Sequence, residues 1–129
     1  RKSDDTGKRL GWIFTGQKSR AIKLAPMGNF DISDVAALPD GGLMVLERRF
    51  RWSEGISIRI RRVSPKALQA SEPILGETVF EAGSGTALDN MEGMAIHRMP
   101  AGETIVTLIS DDNFNFFQST VLLQFALVE

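Results

Sequence analysis

The stretch that decides the fold is Ala37-Leu-Pro-Asp-Gly-Gly-Leu-Met-Val-Leu-Glu-Arg-Arg-Phe50. Its Pro-Asp-Gly-Gly segment is typical of a tight turn, because proline presets one backbone angle and glycine accepts a positive φ. The apolar run that follows, residues 43–46, predicts a strand that is covered on both faces. A tight turn followed directly by a short apolar strand is typical of an antiparallel β protein.

Short apolar runs of the same kind recur along the chain, separated by Gly, Pro, Asp and Asn. The run at 105–109 is continuous, which again predicts cover on both faces, whereas Ile56-Ser-Ile-Arg-Ile-Arg61 alternates, which predicts a solvated cationic face. A short helix is predicted at 64–70, with Ser64 as its N-cap and Pro65 as its first residue. The predicted strands span 11–15, 20–24, 33–38, 43–50, 56–63, 77–81, 92–98, 104–110 and 120–128.

Two parts of the chain repeat at a spacing of 61 residues. Each copy reads as a strand, a Pro-Gly turn, an apolar strand and a polar cluster. Short-strand units of this period are typical of β-propeller blades. The matching segments are Asn29-Phe-Asp31 with Asn90-Met-Glu92, Pro39-Asp-Gly41 with Pro100-Ala-Gly102 and, after a short insertion, Glu47-Arg-Arg-Phe50 with Asp111-Asp-Asn-Phe114.

The predicted fold is therefore all-β, with antiparallel four-stranded sheets of the β-propeller type and about two blades of a larger propeller. Residues 1–10 are predicted to be a loop or disordered N-terminus, and residues 11–129 to be one β domain. Two strands of one blade fall at 11–24, a whole blade at 33–81 and three strands of the next at 92–128. Because a propeller takes roughly four to eight blades, we expect the remaining blades of a longer chain, or self-association, to cover the open faces.

Composition excludes several classes of protein. The chain has 129 residues, with 15 Lys and Arg against 16 Asp and Glu, so its formal net charge is −1. Without an excess of positive charge, a dedicated nucleic-acid binder is not expected. The absence of cysteine excludes disulfides, thiolate zinc sites and cysteine nucleophiles. No apolar run approaches the roughly 20 residues of a membrane-spanning helix, so no membrane span is expected.

Acidic residues gather where the predicted strands end. Hard oxygen ligands at such positions suit Ca²⁺, which takes six to eight oxygens. Two alternatives stay open, because Asp and Asn also build turns, and a carboxylate beside an apolar strand must be paired, here with a neighbouring arginine. In the metal interpretation, we expect the carboxylates of Glu47, Glu92 and Asp111 to face one rim. The candidate metal ligands are Glu47, Asp89, Glu92, Asp111 and Asp112.

Several strings along the chain are similar to one known family. They are Phe30-x-x-Ser-Asp34, Ala37-Leu-Pro-Asp-Gly41, Val45-Leu-Glu-Arg-Arg-Phe50, Asp89-Asn-x-Glu-Gly93, Ser110-Asp-Asp-Asn-Phe-Asn115 and Gln118-x-Thr-x-Leu-Leu-x-Phe125. In this order and spacing, the chain resembles the phytase-like family of "esterase-like activity of phytase" domains from about residue 11 to residue 127. The resemblance implies a bacterial β-propeller domain, longer than this chain, in a periplasmic or secreted protein. Ser119 departs from the pattern, since the family leads us to expect arginine there.

The resemblance implies a hydrolase that acts on a small-molecule ester or phosphoester, with Ca²⁺ as the candidate metal. Glu92 and Asp111 are the candidate catalytic residues, as metal ligands or general base. Arg48 and Arg49 are the candidate substrate-binding residues, because a guanidinium fork fits phosphate. His97, the only histidine, lies within a strand and indicates packing or surface exposure rather than a catalytic triad. The alternatives are a non-catalytic β-propeller binding module for a small ligand or protein, and clusters with a purely structural role.

Overall fold

The computed structural model describes residues 9–70, 73–83, 91–110 and 122–128. All nine predicted strands are present there, with ends that differ from the prediction by at most two residues. Most of the predicted N-terminal loop, residues 1–10, lies outside the described residues, and the first strand begins at Arg9. The elements are β1 (Arg9–Thr15), β2 (Lys18–Leu24), β3 (Asp31–Ala37), β4 (Leu43–Arg51), β5 (Gly55–Val63), α1 (Pro65–Leu68), β6 (Glu77–Ala82), β7 (Met91–Arg98), β8 (Thr104–Ser110) and β9 (Leu122–Ala126).

The described strands form three antiparallel sheets. Sheet I contains β1 and β2, sheet II has the order β3-β4-β5-β6, and sheet III has the order β7-β8-β9. The predicted all-β antiparallel fold is confirmed, and so is the division into groups of two, four and three strands. In the part of the chain that is described, no helix is long and apolar enough to cross a membrane.

The short helix α1 begins as the sequence predicts. The Ser64 side chain accepts a hydrogen bond from the backbone N–H of Ala67 at 3.1 Å, and Pro65 occupies the first turn. An N-cap of this kind satisfies one of the backbone donors that a helix start leaves unpaired. Leu68 is buried, so the helix is anchored by one apolar contact as well as by its cap.

The repeat of 61 residues is a repeat of strand register. In the β3–β4 hairpin the last pair is Ala37 with Leu43, and in the β7–β8 hairpin the last pair is Arg98 with Thr104. The three pairs that follow in each hairpin keep the same spacing. Identical pairing over this length indicates that the two hairpins are built on one backbone template.

The two hairpin turns are also alike. Gly41 and Gly102 both adopt a positive φ, of 93° and 96°. The amide of Gly41 donates to the carbonyl of Leu38 at 3.0 Å, and the amide of Gly102 donates to that of Met99 at 2.8 Å. Glycine is needed at this position because residues with a Cβ rarely adopt such a φ.

One part of the sequence alignment is wrong. β4 pairs with β5, and β8 pairs with β9, without a shift of register. The spacing of 61 therefore continues along both strands and matches Glu47 with Leu108, not with Asp111. Glu47 and Leu108 are both buried, so a carboxylate and an aliphatic side chain occupy equivalent interior positions. Asp111 itself lies outside the described residues.

Sheet II is packed between the other two sheets. One of its faces carries Met44, Leu46, Ile58 and Ile60 and forms a buried cluster with residues of sheet III. Each of these side chains contributes about 1.5–3 kcal/mol when it is fully removed from water. The sheet III members of this cluster are Met91, Met94, Val106 and Leu108.

The other face of sheet II packs against sheet I. Val45 and Val63 form a second buried cluster with Leu24 at the end of β2, and with Leu68 and Ile74. The run at 43–46 is thus covered on both faces, as predicted.

The prediction for the run at 105–109 is wrong for one face. Val106 and Leu108 are buried against sheet II, whereas Ile109 is exposed. The described residues cover sheet III on one side, and sequence periodicity alone does not reveal which neighbour is present.

Candidate functional site

The site begins where sheets II and III meet. The side chain of Asp34 in β3 accepts a hydrogen bond from the backbone N–H of Met94 in β7 at 2.8 Å. A second oxygen of Asp34 accepts from the N–H of Val35, also at 2.8 Å. Because one carboxylate holds both backbones, β7 lies directly beside β3.

An arginine and a glutamate face each other across this junction. Nη1 of Arg48 in β4 lies 3.3 Å from Oε1 of Glu92 in β7. Their side chains are 41% and 38% exposed, so solvent and a ligand can reach both. We call this pair the junction site. An exposed ion pair contributes only about 0–1 kcal/mol to stability, which means that the fold does not depend on it.

The junction site combines two chemical capabilities. The Arg48 guanidinium presents fork-like donors that fit the oxygens of a phosphate or carboxylate group. The Glu92 carboxylate can accept a proton from a bound water or hydroxyl. The pairing also agrees with the structural alternative, in which Glu92 is simply the partner of Arg48.

Arg49 lies on the opposite face of β4, because successive side chains of a strand alternate. Its guanidinium is 4.5 Å from the ring centroid of Phe30, and its Nη2 is 3.3 Å from Oε2 of Glu54. Nε of Arg49 is buried, with no hydrogen-bond partner among the described residues. The two predicted substrate-binding arginines are therefore not brought together, and only Arg48 belongs to the junction site.

Glu47 is at the centre of a buried ionic network. Its Oε2 accepts hydrogen bonds from Nε of Arg59 at 2.7 Å and from Nε of Arg61 at 3.1 Å, and its Oε1 accepts from Nη2 of Arg61. Only 2% of the Glu47 residue is exposed. With both oxygens engaged by two guanidinium groups, Glu47 contacts arginines other than the predicted Arg48 and Arg49.

The two arginines use their remaining donors on backbone carbonyls. Nη2 of Arg59 donates to the carbonyl of Met27 at 2.6 Å. Nη1 of Arg61 donates to the carbonyls of Ala25 at 3.0 Å and Leu75 at 2.8 Å. The network therefore fastens sheet II to the segment that follows sheet I, and we call Glu47, Arg59 and Arg61 the buried network.

The prediction of a solvated cationic face on β5 is wrong. Arg59 and Arg61 are both buried, because that face of β5 lies against sheet I and the segment that follows it. A signal for their partner was present in the sequence. The turn at Ser53-Glu54-Gly55 sets a register in which Glu47 lies directly opposite Arg59, and an opposite charge at that position predicts a cross-strand pair.

The predicted metal ligands are only partly within the described residues. Asp89, Asp111 and Asp112 lie outside them. Glu47 belongs to the buried network and Glu92 to the junction site, so these two carboxylates do not share one cluster. Within the described ranges, no three His, Cys, Asp or Glu side chains form a group that could hold a metal ion.

The turn ends of the hairpins carry a further charged pair. Oδ1 of Asp40 accepts from the N–H of Gly42 at 2.8 Å, and Oδ2 lies 3.2 Å from Nη2 of Arg62. The hydrogen bond from Gly42, helped by Arg62, lowers the pKa of Asp40 below its usual value. His97 in β7 is exposed, in agreement with a surface histidine.

The fold and the junction site describe an all-β domain with a charged, accessible pair between two sheets. Residues 4–114 match the phytase-like family whose description is esterase-like activity of phytase. The chain belongs to this family, which confirms the resemblance seen in its sequence strings. No curated protein matches the chain, and no solved structure matches it.

Proposed function

We propose that this chain is the C-terminal section of an exported, phytase-like β-propeller hydrolase that acts on a small-molecule ester or phosphoester. The observation that carries the proposal is the family match over residues 4–114. The propeller form is supported by the hairpin template that repeats after 61 residues and by the face-to-face order of sheets I, II and III. A periplasmic or secreted location is proposed from the same family resemblance.

In this proposal the two members of the junction site have different roles. Arg48 holds the anionic or polarised oxygen of the substrate, through the fork of its guanidinium. Glu92 acts as general base and takes the proton from the attacking water. Asp111 is proposed as a second catalytic carboxylate, on the strength of the family-like string at 110–115.

Ca²⁺ remains the proposed metal. When bound, it would polarise the phosphoryl or acyl oxygen and lower the pKa of a coordinated water. Of the predicted ligands that are described, Glu92 is the one with an accessible carboxylate, and one carboxylate does not supply six to eight oxygens. The roles proposed for Arg48 and Glu92 therefore do not require the metal.

A second candidate function is a non-catalytic binding module. Phe50 follows Arg48 on the same face of β4, and its ring meets the ring of Trp52 edge to face at 5.5 Å. Trp52 is 95% exposed, at the tip of the β4–β5 hairpin. An aromatic pair beside an arginine offers contacts to a small ligand or a protein without any chemical step.

The two candidates are separated by an activity screen. The protein is offered p-nitrophenyl acetate, p-nitrophenyl phosphate and phytate, each with Ca²⁺ and with a chelator. We expect hydrolysis of at least one compound, a raised KM for Arg48→Ala, and a kcat about 10²–10⁴-fold lower for Glu92→Gln. Arg51→Ala is the matched control, since Arg51 is an exposed arginine of β4 that pairs with Glu54.

The outcomes of this screen are distinct. Unchanged kcat in Glu92→Gln would contradict the role of Glu92 as a base. Absence of hydrolysis of all three compounds, together with quenching of Trp52 fluorescence by one of them, would favour the binding module.

A further inference from the structure

The face of sheet III that points away from sheet II is apolar and open. Val106 and Leu108 are buried against sheet II, so the alternate residues of β8 face the other way. Among the latter and their neighbours, Ile109 is 45% and Leu122 is 62% exposed. The open face of sheet III consists of Ala95, Ile105, Thr107, Ile109, Leu122 and Gln124, which are cross-strand neighbours.

The repeat shows what kind of surface belongs on this face. At the spacing of 61 residues, Ile105 and Thr107 match Met44 and Leu46 of sheet II. Met44 and Leu46 have no exposed surface, because sheet III lies on them. The open face of sheet III is thus the counterpart of a face that is completely covered by another sheet.

The covering surface in sheet II's case is also defined. It is the face of sheet III that carries Val106 and Leu108. At the same spacing these residues match Val45 and Glu47, which lie on the face of sheet II that is turned toward sheet I. Each sheet therefore presents two different faces, one to the sheet before it and one to the sheet after it.

Sheet I has a free face of the kind that sheet III requires. Leu24 belongs to the cluster that joins sheets I and II, with Ile22 packed beside it. Trp12 pairs with Ala21 across the sheet, so these two and Phe14 point away from sheet II. Trp12 is 61% and Phe14 is 75% exposed. We call Trp12, Phe14 and Ala21 the open face of sheet I.

We propose that the open face of sheet III binds the open face of sheet I of a second copy of this chain. The contact continues the order I, II, III with a further sheet I, and it removes two exposed apolar surfaces from water. Exposed apolar patches of this kind mark interaction sites in soluble proteins. Because the two faces differ, the association is head to tail and leads to a closed ring or to a growing chain of copies.

A complementation experiment tests the proposal. Trp12→Asp removes the open face of sheet I, and Leu122→Asp removes that of sheet III, while each variant keeps the other face. Light scattering should give the wild-type protein a mass that rises with concentration, and each variant alone the 14.2 kDa of the single chain. An equimolar mixture of the two variants should form a heterodimer of twice that mass, because one intact face of each kind remains.

The controls address specificity and folding. Trp52→Asp changes the most exposed tryptophan, which belongs to neither open face, and should leave the wild-type association unchanged. Circular dichroism checks that each variant is folded, and Ile109→Asp replaces Leu122→Asp if the latter is not. The proposal is overturned if the wild-type protein is monomeric at all concentrations, if the mixed variants stay monomeric, or if Trp52→Asp also abolishes association.

Discussion

The β3–β4 and β7–β8 hairpins share one backbone template but use it differently. Their strand pairing and their turns coincide at a spacing of 61 residues. In the first hairpin Glu47 is buried with two arginines, whereas the equivalent residue of the second is Leu108 in an apolar cluster. The comparison teaches that the template fixes which positions are interior, and that the local neighbours decide whether a charge is tolerated there.

The two solutions differ in how they stabilise the fold. Leu108 gains free energy simply because its side chain leaves water. Glu47 loses hydration on burial, and this penalty is offset only when its partners are well placed. Its contacts with Arg59 and Arg61 make the first hairpin intolerant of any change that removes one charge.

The largest expected effect comes from Glu47→Gln. The substitution leaves two buried guanidinium groups without a counter-charge, so the free energy of unfolding should fall by about 3–5 kcal/mol. Urea denaturation measures the difference. Glu77→Gln changes an exposed carboxylate and should stay within about 0.5 kcal/mol of the wild-type protein. A loss for Glu47→Gln as small as that of Glu77→Gln would contradict the structural role of the buried network.

A smaller effect is expected at the end of the first turn. A Cβ at Gly42 would lie 2.4 Å from the carbonyl oxygen of Val63, so Gly42→Ala should lower the free energy of unfolding by about 1–3 kcal/mol. The equivalent residue of the second hairpin is Glu103, which is exposed, and Glu103→Ala should have almost no effect. Thermal unfolding compares the two, and equal losses would show that the turns are more alike than their contacts suggest.

The smallest expected effect depends on pH. Because the pKa of Asp40 is lowered in the folded state, its ionised form stabilises the fold above the pKa of the unfolded chain. This contribution is lost as the pH falls through the lower, folded-state pKa. It should be below about 1 kcal/mol, since the pair with Arg62 is exposed and screened by solvent.

Asp40→Asn tests this in the same comparison, because the second hairpin has Ala101 at the equivalent position. Urea midpoints of the variant and the wild-type protein should differ at neutral pH and converge at low pH. A difference that persists unchanged at low pH would assign the effect of Asp40 to something other than its charge.

Much of the fold could be predicted from the sequence, because strand periodicity and turn chemistry are local. The Pro39 and Pro100 turns, the strands around them and the cap at Ser64 all follow from a few neighbouring residues. The spacing of 61 also predicted the division into three sheets, since identical units pair in the same way.

The site was harder to predict, because its residues meet through tertiary contacts. Sequence order suggested that Arg48 and Arg49 act together, but strand alternation places them on opposite faces. It also grouped Glu47 with Glu92, while the register brings Arg59 opposite Glu47 and leaves Glu92 beside Arg48. Only the hairpin register, and not composition, distinguishes a buried carboxylate from an accessible one.

The most direct test of this account is to measure both activity and stability for Glu92→Gln and Glu47→Gln. If the junction site acts on substrate and the buried network supports the fold, Glu92→Gln lowers kcat at least about 10²-fold. Its free energy of unfolding stays within about 1 kcal/mol of the wild-type value, while Glu47→Gln loses about 3–5 kcal/mol. Full activity in Glu92→Gln, or a loss of stability equal to that of Glu47→Gln, would contradict the central claim.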